Sequence, residues 1–524
     1  MCHTLTVLLL AAAALGTAPQ KVRTFYEPGD PAVPAALRAD PAPMPVGSVS
    51  VVAVASDGAV WLGSDEGLIR YDPRAPEEDR RQYFAGRRYL PDDRVRNLVS
   101  DRAAGVWVRT ESGVAHIELR PMTLEQKAAA FEERIRARHD RHGMVADSRL
   151  REPGNLATNQ PVSSDNDGLW TAMYGAAECF RYGATKSPEA LASARKAIEA
   201  VLFLEQVTGR PGFPARSYVR KDEQRPADGE WHWTADGAIQ WKGDTSSDEI
   251  VGHFYLFGVA WDLLPPGDAL RPRIAATAGR IMDHILDHGY YLVDLDGQPT
   301  RWGRWTPEYF ATPDGKSDSP LNALELLSFL KTAEHITGKP RYRDEYRKVA
   351  FEMRYAELTT RLLELREELN YSDEELAMLP FYLLFRYERD PKLLELYRTA
   401  LDQWWRNIQR EKNPLWTFIY LQGRPRANAD LKGAVRTLER IPMDLVAWTV
   451  KNSHRKDVRL APAADRFGRP ESLNLLPPDE RPVMKWNGNP FRIDGGNGGR
   501  SEDDGAFFLL PYWMGRYHKL LSGE

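Results

Sequence analysis

The sequence predicts a mainly α protein: an (α/α)6 barrel, or toroid, preceded by a small β-module of about two repeats. Three observations carry this reading. Helical segments recur in pairs, 168–185 with 188–208, 247–264 with 268–288, 319–337 with 341–369, 373–388 with 391–411 and 413–422 with 427–440, before a last segment at 503–521. Within each pair the first segment is the more apolar and aromatic, and the second carries Lys, Arg and Glu along one face. Ahead of them, two runs of short apolar strands separated by Asp/Gly turns match one another about 45 residues apart.

The elements follow in order. Residues 1–18 read as a signal peptide: Leu5 to Leu10 and four alanines form a short apolar core, and small residues surround Gly16 and Ala18. The core is too short to span a bilayer comfortably, and no later segment reaches membrane length. The chain is therefore expected outside the cytoplasm, periplasmic or extracellular, with no membrane span after cleavage. Residues 19–47 are rich in Pro, Ala and Asp without periodicity and read as an extended linker.

Residues 48–120 are the β-module. Val54-Ala55-Ser56-Asp57-Gly58-Ala59-Val60-Trp61-Leu62-Gly63 and Leu98-Val99-Ser100-Asp101-Arg102-Ala103-Ala104-Gly105-Val106-Trp107 each give strand, turn and Trp-bearing strand. Trp61 and Trp107 are expected in its core. Residues 121–145 read as a charged helical connector, and 146–524 as the toroid domain. A helix apolar nearly all round, such as Ala377 to Phe385, must be enclosed; one with a charged stripe, such as Leu393 to Arg398, faces water. The rival, an open α-solenoid, is disfavoured by the unlike insertions at 209–246, 289–318 and 455–502.

Composition narrows the partners. The chain has 524 residues, enough for two domains, and 42% hydrophobic content with 15 Trp describes a folded core. A net charge of −4 without an aromatic-interleaved basic run argues against nucleic acid. Cys2 and Cys179 are the only cysteines, and Cys2 falls in the expected leader, so no internal disulfide is expected.

The candidate site follows from where toroid helices begin. The inner segments start at Ser164-Asp165-Asn166-Asp167, Ser247-Asp248-Glu249, Ser317-Asp318, Ser372-Asp373-Glu374-Glu375, Asn413-Pro414 and Glu502-Asp503-Asp504. Asp and Ser cap helices, which explains any one of them. Carboxylates from several helices meeting at one opening would also raise one another's pKa values and divide acid and base roles. Asp167, Asp248, Glu249 and Asp503 are the catalytic candidates.

Trp170, Trp241, His253, Arg301, Trp302, Trp305 and Trp486 are the substrate-binding candidates, since flat rings beside hydrogen-bonding groups suit a sugar. Arg151, Arg216, Arg220, Arg304 and Arg492 are further candidates for an anionic sugar. His253, Tyr290 and Tyr291 are the candidate bases for an elimination. No metal or cofactor is expected: the His139-Asp140-Arg141-His142 run finds no completing ligand pair, and Asp165 to Gly168 lacks a calcium loop's distal Glu.

The strand repeats resemble the two-component-regulator propeller repeat, a propeller-like pattern confined to residues 50–120. The paired helices, with the Asp-Asn-Asp-Gly-Leu-Trp opening and the Glu-Asp-Asp-Gly-Ala-Phe-Phe-Leu-Leu-Pro-Tyr-Trp close, look like the six-hairpin glycosidase group over about 150–522. That likeness implies an exported carbohydrate-active enzyme, a glycoside hydrolase or polysaccharide lyase, acting on a poly- or oligosaccharide. The alternative is a periplasmic carbohydrate-binding or sensing protein. The oligomeric state is left open.

Overall fold

The structure is a computed structural model that describes residues 18–27, 29–34, 51–366, 368–482, 485 and 487–522. The expected signal peptide up to residue 17, residues 28 and 35–47 of the expected linker, and Trp486 lie outside the described residues.

Twelve helices of eight residues or more make the large domain among the described residues. They are α1 (Leu124–Arg134), α2 (Asp167–Thr185), α3 (Pro188–Gln206), α4 (Ser247–Leu263), α5 (Leu270–Asp287), α6 (Pro313–Thr337), α7 (Pro340–Arg347), α8 (Tyr371–Tyr387), α9 (Pro391–Ile408), α10 (Pro414–Gly423), α11 (Leu431–Arg440) and α12 (Ala506–Tyr517). The even-numbered helices pack in sequence, α2 on α4, α4 on α6, α6 on α8, α8 on α10 and α10 on α12, and α12 returns to α2. The ring is closed, as an (α/α)6 toroid requires and an open solenoid does not.

Burial separates the two layers as the residue patterns demand. Glu374 to Leu384 of α8 are all buried, whereas α9 buries only Leu393, Tyr397, Ala400, Leu401, Trp404 and Ile408, one face of a helix. The helix expected as a connector is instead the sixth outer helix, because α1 packs against α12. It is started by a capping box between Thr123 and Gln126. Its charged face concealed an apolar one, with Leu124, Ala128 and Phe131 buried.

Connection lengths orient the ring. The turns from inner to outer helices are short, such as 186–187 and 338–339, while the returns, except for 409–413, are long, 207–246, 288–312, 348–370 and 441–505. Short turns make antiparallel hairpins, so all inner helices run parallel and start at the end where the long loops lie. Toward the other end the ring's centre is filled by aromatic side chains from facing helices. Phe180 meets Tyr382 at 5.8 Å, Tyr255 meets Tyr382 at 5.8 Å, and Tyr382 hydrogen-bonds His518 at 3.1 Å.

The β-module consists of two four-stranded antiparallel sheets with a common core of Trp61, Leu68, Phe84, Val95 and Val106. The first is a meander, β2 (Val51–Val54), β3 (Val60–Ser64), β4 (Gly67–Tyr71) and β5 (Arg81–Phe84). The second joins β6 (Val95–Ser100), β7 (Val106–Thr110) and β8 (Val114–Met122) to β1 (Ala18–Tyr26) at its edge. The linker expectation is corrected here. Residues 18–26 pair along all of β8, from Ala18↔Met122 to Tyr26↔Val114. Alternation was blurred because both faces of β1 are engaged by polar partners: Lys21 pairs with Asp479, and Lys127 reaches Gln20 at 2.7 Å.

Candidate active site

The inner-helix starts carry carboxyl groups at two depths. Nearest the loops stand Asp248 on α4, Asp318 on α6, Asp373 on α8 and Asp503 just before α12, each half-buried. Deeper lie Glu249, Glu325 and Glu375, each no more than 1% exposed. Each of the three keeps one carboxyl oxygen without a hydrogen-bond partner: Glu249 Oε2, Glu325 Oε1 and Glu375 Oε1. Burial pushes all three well above the usual carboxylate range.

These groups feel one another's charge across the ring. Burial raises Asp373 to about 6; the Arg366 guanidinium, 2.5 Å away, opposes that, and the charges of Asp318 and Asp248 reinforce it. Burial also raises Asp248, against the opposing pull of Ser246 and Arg216. Glu325 is pushed further by Asp248, Asp373 and Asp318, and Glu375 by Asp248. Three helices far apart in sequence thus bring their acids to one place, where none can ionise without disfavouring the next.

A cation closes the group on the α12 side. Lys485 Nζ lies 3.7 Å from Asp147, 3.8 Å from Asp503 and 3.6 Å from Asp504, and 5.4 Å over the ring of Trp170. Burial disfavours its charge, but these carboxylates and Glu375 outweigh that and raise its pKa. Burial raises Asp503 in turn, with Lys485 holding it back.

The sequence-predicted residues divide. Asp248 and Asp503 stand in this group. Asp167 is corrected to a structural role: it is fully buried, with Ser164 donating to one oxygen at 2.6 Å and Arg141, at 2.5 Å, and Ser217 donating to the other. Glu249 is walled in beside α2, where Leu169 N–H donates to it at 3.3 Å and Gly168 makes room for its Oε2. Among the aromatics, Trp170 is half-buried under Lys485, while Trp302 is 46% exposed with Arg301 over its ring at 5.0 Å.

Trp241, Trp305 and His253 are corrected as substrate contacts. Trp241 is 1% exposed and packs on Phe213 and His232. Trp305 is fully buried, and its Nε1–H donates to Glu325 Oε2 at 2.8 Å, so it orients an acid rather than a sugar. His253 is fully buried, pushed down to about 4 by desolvation, with Nδ1–H donating to the Glu249 carbonyl at 2.6 Å. Tyr290 donates to Glu345 and accepts from Lys348, and Tyr291 accepts from Thr306 at 2.9 Å. Arg216 is occupied by the Asp165 carbonyl at 2.8 Å and Asn166 Oδ1 at 2.8 Å.

Sequence reasoning chose none of Glu325, Asp373, Glu375 and Lys485. A lone Glu in the apolar run Leu321 to Leu330 and three acids opening an apolar helix were the available signals for the first three. Lys485 had none, because a loop lysine ordinarily faces water and its partners Asp147 and Trp170 come from distant segments. Beside them, a cavity of about 600 Å³ opens at the start of α8, lined by Asn370, Tyr371, Phe467, Asn489 and Arg492. Its wall ends at Ser372, one residue before Asp373.

No protein-family model matches the chain, and no curated protein matches it in sequence. Among solved structures it is similar to the cellobiose 2-epimerase of Spirochaeta thermophila DSM 6192, at 14% identity over 76% of this chain and 98% of that one, with a TM-score of 0.39. It is similar also to a single-mutant thermostable endoglucanase of Alicyclobacillus acidocaldarius, at 12% identity over 90% and 94%, TM-score 0.40. A D-mannose isomerase stands at 11% identity over 76% and 96%, TM-score 0.37. The (α/α)6 assignment rests on the closed packing of α2 through α12.

Proposed function

We propose that this protein is a carbohydrate-active enzyme that hydrolyses glycosidic bonds with carboxyl groups at the inner-helix starts. The observation that carries it is the gathering of Asp248, Asp373, Glu325 and Glu375 from three helices. Burial raises every one of these acids, and the charge of Asp248 adds to it at Asp373, Glu325 and Glu375. Buried carboxyls with unpartnered oxygens destabilise a fold, and clusters of them mark sites where protons are moved.

Asp373, held at about 6, is the general acid: its proton goes to the glycosidic oxygen as the bond to the anomeric carbon breaks. Asp248, raised by burial but with Ser246 and Arg216 supporting its anion, is the base that takes a proton from the attacking water. Trp170, Trp302 and Arg301 offer ring faces and a cation to the sugar. Hydrolysis is favoured over elimination because His253 is sealed in the core and Tyr290 is engaged by Glu345 and Lys348. The apolar start of the chain supports export, and the two sheets support a pair of propeller-like repeats.

The test is a panel of neutral and uronic polysaccharides, read for reducing ends and for the absorbance of unsaturated uronides. Reducing ends without that absorbance, reduced at least about a hundredfold in Asp248→Asn and Asp373→Asn, are expected. Unsaturated product would point to a lyase. Retained sugar binding without turnover would favour the binding or sensing alternative, and silence in both assays would remove the carbohydrate reading.

A further inference from the structure

We propose that Glu230, His232 and Asp294 form a binding site for one divalent cation of the Zn²⁺ type, which ties together two of the loops that frame the inner-helix starts. One ligand atom from each of the three lies within 4.8 Å of the others. Glu230 and His232 are two residues apart at the start of the strand Trp231–Trp233, so their side chains leave the same face. Asp294 arrives from the hairpin formed by Tyr291–Val293 and Pro299–Arg304, which precedes α6.

Each donor is poised differently. His232 Nε2 is screened from solvent and has no hydrogen-bond partner, an arrangement a buried ring nitrogen does not adopt without reason. The other face of its ring packs on Trp241, centroids 4.5 Å apart, which holds the imidazole in place. Asp294 is 6% exposed and is fixed by N–H groups, Leu295 donating to Oδ1 at 2.6 Å and Asp244 to Oδ2 at 2.7 Å. Oδ2 retains a lone pair for a metal. Glu230 is exposed, and its Oε1 lies 3.6 Å from His232 Nε2. The edge of a tetrahedron with metal–ligand bonds near 2.1 Å is roughly 3.4 Å, so this pair is already at coordination spacing.

The space between the donors is kept by a glycine. A Cβ on Gly243 would fall 2.8 Å from His232 Nε2 and 2.9 Å from Asp294 Oδ2. Gly243 N–H donates to the Glu230 carbonyl at 2.8 Å, which pins the glycine against the same strand. One imidazole and two carboxylates suit a borderline cation such as Zn²⁺; the hard ions Ca²⁺ and Mg²⁺ prefer all-oxygen sites. Water would complete the tetrahedron. Asp244 follows Gly243 and accepts from Arg301 N–H at 2.8 Å, so a bound cation would brace the segment that leads into Asp248.

The experiment uses the full chain without an affinity tag, stripped with a chelator and titrated with ZnCl₂ and with CaCl₂ by calorimetry, alongside thermal melting with and without Zn²⁺. One equivalent of Zn²⁺, a raised melting temperature and no comparable Ca²⁺ binding are expected. His232→Ala and Asp294→Asn should abolish both signals. Gly243→Ala keeps every donor and an ordinary backbone; it should weaken Zn²⁺ at least about tenfold, while the stripped variant, its methyl crowding His232 and Asp294, melts lower than the stripped wild type but still cooperatively. Absence of saturable Zn²⁺ binding, binding unchanged in His232→Ala or Gly243→Ala, or binding of Ca²⁺ alone would overturn the site.

Discussion

If Asp373 donates the proton that frees the leaving group, the alkaline side of the rate profile belongs to it. Its carboxyl stands at about 6 instead of 3.8, because burial and the charges of Asp318 and Asp248 outweigh Arg366. That difference corresponds to about 3 kcal/mol favouring the protonated form. Above the pKa the competent fraction falls tenfold per pH unit, so kcat/KM at pH 8 should lie about a hundredfold below its plateau. Asp373→Asn should lower kcat by roughly a hundredfold or more and remove that descending limb.

The same shift has a stability signature of opposite kind to an ordinary ion pair. A carboxyl with a raised folded-state pKa stabilises the fold fully below its unfolded value near 3.8, and this contribution is lost as pH rises through about 6. The variant, which cannot titrate, should lack the decline. Rates of both proteins from about pH 4 to about pH 9, with urea melts at the same points, measure both effects. Asp373→Asn with near wild-type activity and an intact limb near pH 6 would refute the assignment.

Three further outcomes follow from the packing. Trp305→Phe removes the indole donor to Glu325 and should destabilise the protein by about 1–3 kcal/mol in urea melts. Gly168→Ala places a methyl 1.9 Å from Glu249 Oε2 and 2.8 Å from Leu204, and should cost about 1–3 kcal/mol. Combining it with Glu249→Ala should relieve much of that loss, a non-additivity that a double-mutant cycle would detect. Glu502 is buried, which would raise it, but Arg138, His139 and Arg134 pull it down to about 2. Its contribution, about 3 kcal/mol, should be present above pH 4.5 and disappear as pH falls through 2, and acid unfolding of Glu502→Gln should lack that component.

Helix periodicity located the toroid well because it reports a local requirement. A segment enclosed on all sides must be apolar on all sides, and α4, α8 and α10 begin and end within about two residues of where the pattern places them. Composition was less informative where one residue type serves two purposes. Trp302 lies on the strand Pro299–Arg304 and Trp305 immediately follows it, yet one is exposed and the other is sealed against Glu325. Likewise Asp167 and Asp248 both begin inner helices, but only the first meets Arg141 and Ser217 and so becomes a fastening.

The order of residues was enough to set the alternation of enclosed and solvent-facing helices, and with it the hairpin order and the end where acidic residues collect. Recruitment of α1 as an outer helix and of residues 18–26 as a sheet edge, and the choice among acids, emerged only when distant segments met. The difference is one of range. Helix propensity and amphipathicity act over a few residues, whereas burial, an unpartnered oxygen, or the field of Asp147 on Lys485 depends on segments hundreds of positions apart or on the far side of a ring.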